Sequence, residues 1–534
     1  MRIRLLPPLC ACAALAAGGA LAHDDESPAK LAGKLGTVNF ANSCDPKVQP
    51  AFERAVAMLH SFVYNVAEKA FAEIFDEDPT CAIATWGYAS ILMSNPLAGI
   101  GPTADNAKKA QAMLARGRAA GAKTERERDY IEAVGAYYDG WETRPEKERQ
   151  ILRSKAYQAV AAKYPDDDEA QIFNALYLAS TQSQADQTYA AYLQAAAVLE
   201  REFRKNPDHP GVAHYLIHSY DAPPIAEKGL PAARLYASIA PAAPHALHMP
   251  SHIFTRVGSW EESVATNRRS FQASTASGDI PEAYHASDYA VYALLQLGRD
   301  ADAKRTMDEA MRVTGATPAQ TAYTYGASAM AARYALERGD WKSAMRLQVI
   351  PSKMPFTDAN TYFARALGAA RSGDIAQAQA EAANLAAAHK ALEEAKNRYW
   401  ATEVEVQRLA IAGWIAHKQG DAAEGVKLMR AAADLEDRNE KHIVTPGRIV
   451  PARELLGDML LEQSQPAAAL KEYETSQVRE PNRFRNYYGS MVAARAMGDE
   501  AKARQYAGRL VTLTEKGDGT RPEIANAKMV FGQR

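Results

Sequence analysis

Short turns recur at similar intervals in the second half of the chain, and they constrain the fold more than any other feature. The segments between them are rich in helix-forming residues, with apolar side chains every three or four positions. A glycine in the left-handed conformation ends a helix, and an acidic residue shortly after it suits the start of the next helix. Intervals of this size, roughly 34 to 47 residues, are typical of stacked two-helix units. The turn positions are Gly258, Gly298, Gly339, Gly373, Gly420, Ser464 and Gly498.

A small side chain lies five residues after each of these turns. Two helices of a hairpin approach closely only where the facing side chain is small. The pattern therefore predicts tightly packed helical hairpins. The positions are Ser263, Ala303, Ala344, Ala378, Gly425, Ala469 and Ala503.

The segment from Pro451 to Pro481 resembles a tetratricopeptide repeat. Leu456 and Gly457 match the Leu-Gly pair of its first helix, and Ala469 and Tyr473 match the small and aromatic positions of its second helix. The resemblance implies an all-α fold, a helical-hairpin solenoid that forms a tetratricopeptide-like superhelix. It also implies that the first helix of each hairpin lines the concave side.

A block from His245 to Trp260 resembles one found in exported bacterial tetratricopeptide-repeat proteins of unassigned activity. The sequence His209-Pro210-Gly211, with His214 and His218, resembles a partner block upstream. This resemblance implies a fold and a compartment but no reaction.

Residues 1–22 have the organisation of a secretory signal peptide. Arg2 and Arg4 precede an apolar run, and Ala20-Leu21-Ala22 forms a small-x-small cleavage site. We expect export to the periplasm or the cell exterior, with a short membrane anchor as the alternative. No later stretch approaches the roughly 18 apolar residues of a membrane helix, so the mature chain should have no transmembrane segment.

The sequence predicts three regions after the signal peptide. Residues 23–222 form an irregular helical, tetratricopeptide-like region, and residues 245–515 form the repeat array. Residues 516–534 form a C-terminal capping helix, because the end of a solenoid needs a polar cover. The proline-rich stretch 221–244 is the expected boundary between the first two regions.

After cleavage, Cys44 and Cys81 would be the cysteines of the mature chain. Each precedes a predicted helix, and the starts of first helices in adjacent hairpins lie side by side. In an oxidising compartment the pair predicts a disulfide. The alternative is two buried, unpaired thiols.

Charge excludes one class of partner. The chain has 62 Lys and Arg against 64 Asp and Glu, and it has no basic run. Phosphate backbones attract proteins that carry a positive field, so we expect no nucleic-acid partner.

Six of the 12 histidines fall between residues 209 and 252. His214 and His218 are four residues apart and share a helix face. His245, His248 and His252 have similar spacing, although Pro250 interrupts it. Neutral imidazoles so placed can bind Zn²⁺ or Cu²⁺. The alternatives are a structural hydrogen-bonding role and catalysis. Additional ligands or partners could come from Asp221 and His285.

Tyr215, Tyr220 and Tyr284 would lie near these histidines on the concave wall, where aromatic side chains suit a peptide or small polar ligand. The alternative is that they are packing residues. We expect a non-enzymatic scaffold without a cofactor or catalytic residues, which docks an unidentified protein or peptide. The competing hypothesis is a Zn- or Cu-binding protein, or a metal-dependent enzyme, that uses residues 209–252.

Overall fold

A computed structural model describes residues 31–350 and 352–532, and these residues form helices and connecting loops without a β-strand. The predicted signal peptide lies outside the described residues. The helices of the first half are α1 (Gln49–His60), α2 (Tyr64–Glu77), α3 (Ile83–Leu92), α4 (Ala104–Ala120), α5 (Glu125–Tyr138), α6 (Glu146–Lys163), α7 (Asp168–Ala179), α8 (Ala190–Lys205), α9 (Pro210–Ser219), α10 (Leu230–Ile239), α11 (Pro244–His248) and α12 (Pro250–Arg256).

The second half continues the all-α fold as an array of antiparallel helices, each packed on its neighbour in sequence. Its helices are α13 (Trp260–Ser277), α14 (Ile280–Gln296), α15 (Asp300–Met311), α16 (Thr321–Leu336), α17 (Trp341–Ala344), α18 (Pro355–Ser372), α19 (Ile375–Glu394), α20 (Arg398–Lys418), α21 (Ala422–Asp437), α22 (Ala452–Glu462), α23 (Pro466–Arg479), α24 (Phe484–Ala496), α25 (Glu500–Leu513) and α26 (Pro522–Gly532). The predicted helical-hairpin solenoid is therefore confirmed.

The predicted turns have the backbone conformation that ends a helix. All six turn glycines have a positive φ, and Ser464 adopts a φ of 56° in the equivalent place. The small residues five positions later are buried between helices. Local sequence chemistry thus determines where the hairpins of this region fold.

The first half forms one buried core that extends from Leu35 to Phe254. The proline-rich stretch belongs to this core, because α10 lies within it and packs against α9 and α12. Within the described residues, this stretch is therefore packed against the helices of the first half. At the other end, α26 packs on α25 where the capping helix is expected.

The end of the array returns to its beginning. The Trp260 indole donates a 2.7 Å hydrogen bond to the backbone oxygen of Asn482. Arg521 forms a 2.6 Å ion pair with Asp300. Because these contacts join residues more than 200 positions apart, the superhelix closes on itself.

A loop between α21 and α22, residues 438–451, fills the interior, and we call it the inner loop. Lys441 and His442 on it are buried. Lys441 bonds Asp221 from the first half at 3.1 Å, and Arg333 of α16 donates to the Gly447 carbonyl at 2.8 Å. The inner loop therefore connects both halves of the protein from inside.

Cys44 and Cys81 lie side by side ahead of α1 and α3, with Cα atoms 4.6 Å apart. Asp45 reinforces the contact, because its backbone N–H donates to the Asp78 carboxylate at 2.7 Å. This separation is one that a disulfide can bridge. The bond itself stays a prediction.

Replacing both cysteines by alanine should lower the free energy of unfolding by about 3–4 kcal/mol, because the open chain gains entropy when unfolded. Urea unfolding of the double variant and the wild type measures this loss. Thiol titration of the denatured, unreduced wild type is the control, and two reactive thiols would contradict the disulfide.

Within residues 31–350 and 352–532, no helix combines the length and apolar character needed to cross a membrane.

Candidate metal centre

Three histidines from two helices bring their ring nitrogens together in the first half. His214 and His218 lie one turn apart on α9, as their spacing predicts, and His245 projects from the first turn of α11. One nitrogen from each ring lies within 4.8 Å of the other two. We call this group the first triad.

A second group of three lies directly beside it. His248 at the end of α11, His252 on α12 and His285 on α14 also place ring nitrogens within 4.8 Å of one another. All three side chains are buried. We call this group the second triad. The five histidines predicted as metal ligands thus divide between two groups, and His285 completes the second.

Pro250 does not separate His248 from His252. Met249 between the two helices keeps helical dihedrals (φ −50°, ψ −36°), and Pro250 occupies the first turn of α12. A proline is tolerated there because the first turn has no hydrogen bond for its missing N–H. The helical path continues, so the two imidazoles, four residues apart, face each other.

Hydrogen bonds fix how four of these rings are oriented. The Nδ1–H of His214 donates to the His60 carbonyl at 2.6 Å, and that of His245 donates to the Glu282 carboxylate at 2.9 Å. Because these oxygens only accept, each ring carries its proton on Nδ1 and a lone pair on Nε2. Metal-binding histidines have this arrangement, with the far nitrogen held by a carboxylate or carbonyl.

The second triad repeats this arrangement. The His248 Nδ1–H donates to the Asn267 side-chain oxygen at 2.7 Å, and that of His252 donates to the Asp221 carboxylate at 2.9 Å. The Asn267 amide is itself oriented, because its Nδ2 donates to the Ser263 carbonyl at 2.7 Å. Asp221 is thus a partner that orients a candidate ligand.

Several inward-facing nitrogens have no protein partner. In the first triad, Nε2 of His214, Nε2 of His245 and both ring nitrogens of His218 are buried and form no hydrogen bond. Nδ1 of His285 in the second triad is in the same state. A buried polar atom without a partner costs about 1–3 kcal/mol. A cluster of such atoms is typical of a site that can bind a metal ion or water.

The environment keeps five of these imidazoles uncharged. Burial disfavours the protonated form and lowers the pKa of His214, His218, His252 and His285 well below the usual range, and neighbouring histidines lower it further. Burial also lowers the pKa of His248 to about 4. The neutral form is the one that donates a lone pair to a metal.

A third histidine group lies near α7 and has a different character. Glu169 accepts hydrogen bonds from Nε2 of His60 at 2.9 Å and from Nε2 of His209 at 3.0 Å. The other ring nitrogens accept from the Tyr215 hydroxyl and from the Val212 backbone N–H. Every ring nitrogen has a partner, so this group acts as a buried hydrogen-bonding network.

The three tyrosines predicted to contact a ligand are buried. Tyr215 donates to His60, and Tyr220 donates to Glu200 at 2.5 Å. The Tyr284 hydroxyl lies 3.4 Å from the Val313 carbonyl. These three side chains are therefore not exposed on an open wall. Their role in binding stays a prediction, and their described contacts are those of packing residues.

Sequence reasoning missed four residues that support the triads, namely His60, Asn267, Glu282 and Lys441. None has a spacing that connects it with the histidine blocks. One signal was present for two of them, since Asn267 and Glu282 are polar residues on inward-facing helix positions.

The inner loop covers the second triad. Lys441 bonds Asp221, which also holds His252 and forms a 2.8 Å ion pair with Arg256. The Tyr289 ring packs against His252, with centroids 5.0 Å apart, and its hydroxyl donates to the Thr445 carbonyl at 3.0 Å. The loop therefore separates the histidines from solvent.

Acid should loosen the inner loop through His442. Its Nε2 donates to the Ala98 carbonyl and its Nδ1 accepts from the Val444 N–H, each at 3.1 Å. Burial lowers its pKa to about 4, and the charge of Lys441 adds to this. The unfolded imidazole takes up a proton near pH 6.5 and the folded one near pH 4. Stability is therefore lost as pH falls between these values, on the order of 3 kcal/mol.

Hydrogen exchange of residues 438–451 at pH 7 and pH 5, corrected for the intrinsic rate, measures this loosening. We expect faster opening at pH 5 in the wild type and a smaller pH difference in the His442→Gln variant. Equal pH dependence in both proteins would contradict the assignment to His442.

Comparison with known proteins adds two distant structural likenesses. A chain of the APC/C hetero-tetramer Cut9–Hcn1 aligns with a TM-score of 0.31 and 11% identity, over 89% of this chain and 95% of that one. Human IFIT1, in a dimer with m7Gppp-AAAA, aligns with a TM-score of 0.37 and 12% identity, over 81% and 90%. No protein-family model and no curated protein matches the chain. At these scores neither likeness bears on function.

Proposed function

We propose that this protein binds a transition-metal ion with His214, His218 and His245. One observation carries the proposal: buried ring nitrogens without partners converge, while the far nitrogens of His214 and His245 are held by a carbonyl and a carboxylate. Rings held by such hydrogen bonds in a helical frame bind an ion with little reorganisation. The proposal assigns no reaction.

The ligand chemistry selects a class of ion. Imidazole nitrogen suits Zn²⁺, copper and Ni²⁺, whereas Mg²⁺ and Ca²⁺ prefer oxygen. Three protein ligands are one fewer than a tetrahedral zinc site uses. The first triad would therefore leave a coordination position for water or a small ligand.

Elemental analysis of full-length protein purified without a histidine tag tests the proposal. We expect at least one equivalent of zinc, copper or nickel per chain, either as purified or after loading and dialysis. Less than about a tenth of an equivalent in both preparations would overturn metal binding. The His389→Gln variant controls for adventitious binding, because His389 lies far along the chain on α19, between Glu393 and Glu405, and its metal content should equal that of the wild type.

Protein or peptide binding by the superhelix is a second candidate, and the stacked hairpins of α13–α25 favour it because such arrays offer long continuous surfaces. The inner loop occupies the interior, so a partner would bind an outer face or displace this loop. Crosslinking in cells, followed by capture of this protein from the cell envelope, tests this candidate. Failure to recover any partner whose binding is reduced by added unlabelled protein would count against it.

Export to the periplasm or the cell exterior is part of the proposal. The paired positions of Cys44 and Cys81 support it, because disulfides persist in oxidising compartments. Cell fractionation with an N-terminal sequence of the mature chain tests export, and a chain that retains residue 1 in the cytoplasm would contradict it.

A further inference from the structure

We infer that the histidine centre holds two metal ions, the second bound by His248, His252 and His285. This inference rests on the proposed function, since it extends metal binding from the first triad to the second. It makes the site a two-metal centre.

The pair His248 and His252 provides the first argument. Their Nε2 atoms face each other at 3.1 Å. Both rings donate their Nδ1–H elsewhere, to Asn267 and Asp221, so both facing atoms carry lone pairs. Two lone pairs at this distance repel each other unless a proton or a cation lies between or beside them.

The distance suits two ligands of one ion. Zinc binds histidine nitrogen at about 2.0–2.1 Å in tetrahedral geometry, which places two ligand nitrogens about 3.3 Å apart. The observed 3.1 Å is close to this value. A simple hydrogen bond would need one ring to give up a Nδ1–H bond, and those bonds go to a carboxylate and an oriented amide.

His285 provides the third nitrogen. Its ring centroid lies 4.3 Å from that of His248, and its buried Nδ1 has no partner. It comes from α14, the helix after the one that carries Asn267, so the continuous path of α11 and α12 and the separate helix α14 together fix the second triad.

The charged groups around the second triad form ion pairs with one another. Asp221 and Glu440 carry negative charge, and Arg256 and Lys441 carry positive charge within the same network. An extra proton shared by His248 and His252 would be a buried charge held by only two nitrogens. A metal ion held by three nitrogens receives more compensation for its lost water.

The two triads share a boundary. The rings of His218 and His252 have centroids 5.6 Å apart, and those of His245 and His248 are 5.9 Å apart. Each triad leaves a coordination position unfilled by protein. Two ions held this close form one centre, in which a small ligand such as hydroxide can bridge them.

Metal stoichiometry of matched variants tests the inference. The His218→Leu variant removes a first-triad ligand without breaking a described hydrogen bond, and the His285→Leu variant removes a second-triad ligand. The protein is stripped with chelator, loaded with Zn²⁺ and dialysed. We expect two equivalents in the wild type, about one in each single variant, and none in the double variant.

The other outcomes separate this inference from the proposed function. No metal in the wild type overturns both. A second outcome is one equivalent of metal in the wild type that is lost in the His218→Leu variant and kept in the His285→Leu variant. This result would support the proposed function and overturn the second ion. If the wild type binds one equivalent and each single variant binds none, one ion lies between the triads, which also overturns the inference. Circular dichroism of the metal-free variants establishes that each has folded.

Electron paramagnetic resonance of wild-type protein loaded with Cu²⁺ gives an independent measurement that needs no variant. Two nearby ions should interact, which reduces the integrated signal or produces a half-field transition. Two magnetically isolated Cu²⁺ ions per chain would overturn the shared centre.

Discussion

The His218→Leu substitution is expected to remove metal-dependent stabilisation at the first triad while the metal-free protein stays as stable as the wild type. A ligand that binds only the folded state stabilises it by about 4 kcal/mol at a free concentration a thousand times its dissociation constant. Loss of a first-triad ligand should remove most of this gain.

The expected stability of the metal-free His218→Leu variant follows from the surroundings of His218. Neither of its ring nitrogens has a hydrogen-bond partner, and the side chain is buried. Leucine has a similar volume and no polar atom to leave unpaired, so its substitution should be neutral or stabilising. If His218 had a purely structural hydrogen-bonding role, its substitution by leucine would destabilise the metal-free protein.

Thermal unfolding with and without added Zn²⁺ measures both expectations. His60 provides the matched control, because both of its ring nitrogens have partners. The His60→Leu variant should lose stability without metal. Equal Zn²⁺-induced increases in the unfolding temperature of the wild type and of the His218→Leu variant would contradict a ligand role for His218.

The Arg483→Leu substitution is expected to lower the free energy of unfolding by about 3–5 kcal/mol, because removal of one partner from a buried ion pair leaves the other charge uncompensated. Arg483 is fully buried ahead of α24. Its guanidinium bonds Glu337 and Glu454, each at 2.7 Å, and the Tyr292 hydroxyl at 2.6 Å. The substitution leaves two carboxylates buried together.

These contacts join the end of the array to α14 and to the end of α16. Loss of the Arg483 side chain should therefore also open the closed superhelix. Urea unfolding measures the stability, and small-angle scattering measures the radius of gyration. The Arg495→Leu variant on α24 is the control, because Arg495 is exposed and should change stability by less than about 0.5 kcal/mol. Equal stabilities of the two variants would contradict the network's role.

The sequence predicted features that depend on near neighbours. Gly258 and Gly298 end helices because a left-handed residue there requires little from the rest of the fold. The shared face of His214 and His218 follows from helix geometry alone. The helical hairpins and the buried small residues are of the same kind, and the proximity of Cys44 to Cys81 follows from how adjacent hairpins stack.

Features that depend on distant contacts were not predictable in the same way. Lys441 reaches Asp221 from 220 residues away, and Arg521 reaches Asp300 from 221 residues away. No periodicity encodes such distances. The position of the inner loop was not predicted for a related reason, since a loop that fills the interior has no helical pattern to mark it.

The inner loop determines how quickly any bound ion could leave. Lys441, Thr445 and Gly447 are anchored to both halves of the protein, so release requires these anchors to break together. Loading and release of an ion would then follow the opening of this loop. A protein that binds metal in this way would exchange its ion slowly, unlike a carrier that passes ions from one partner to another.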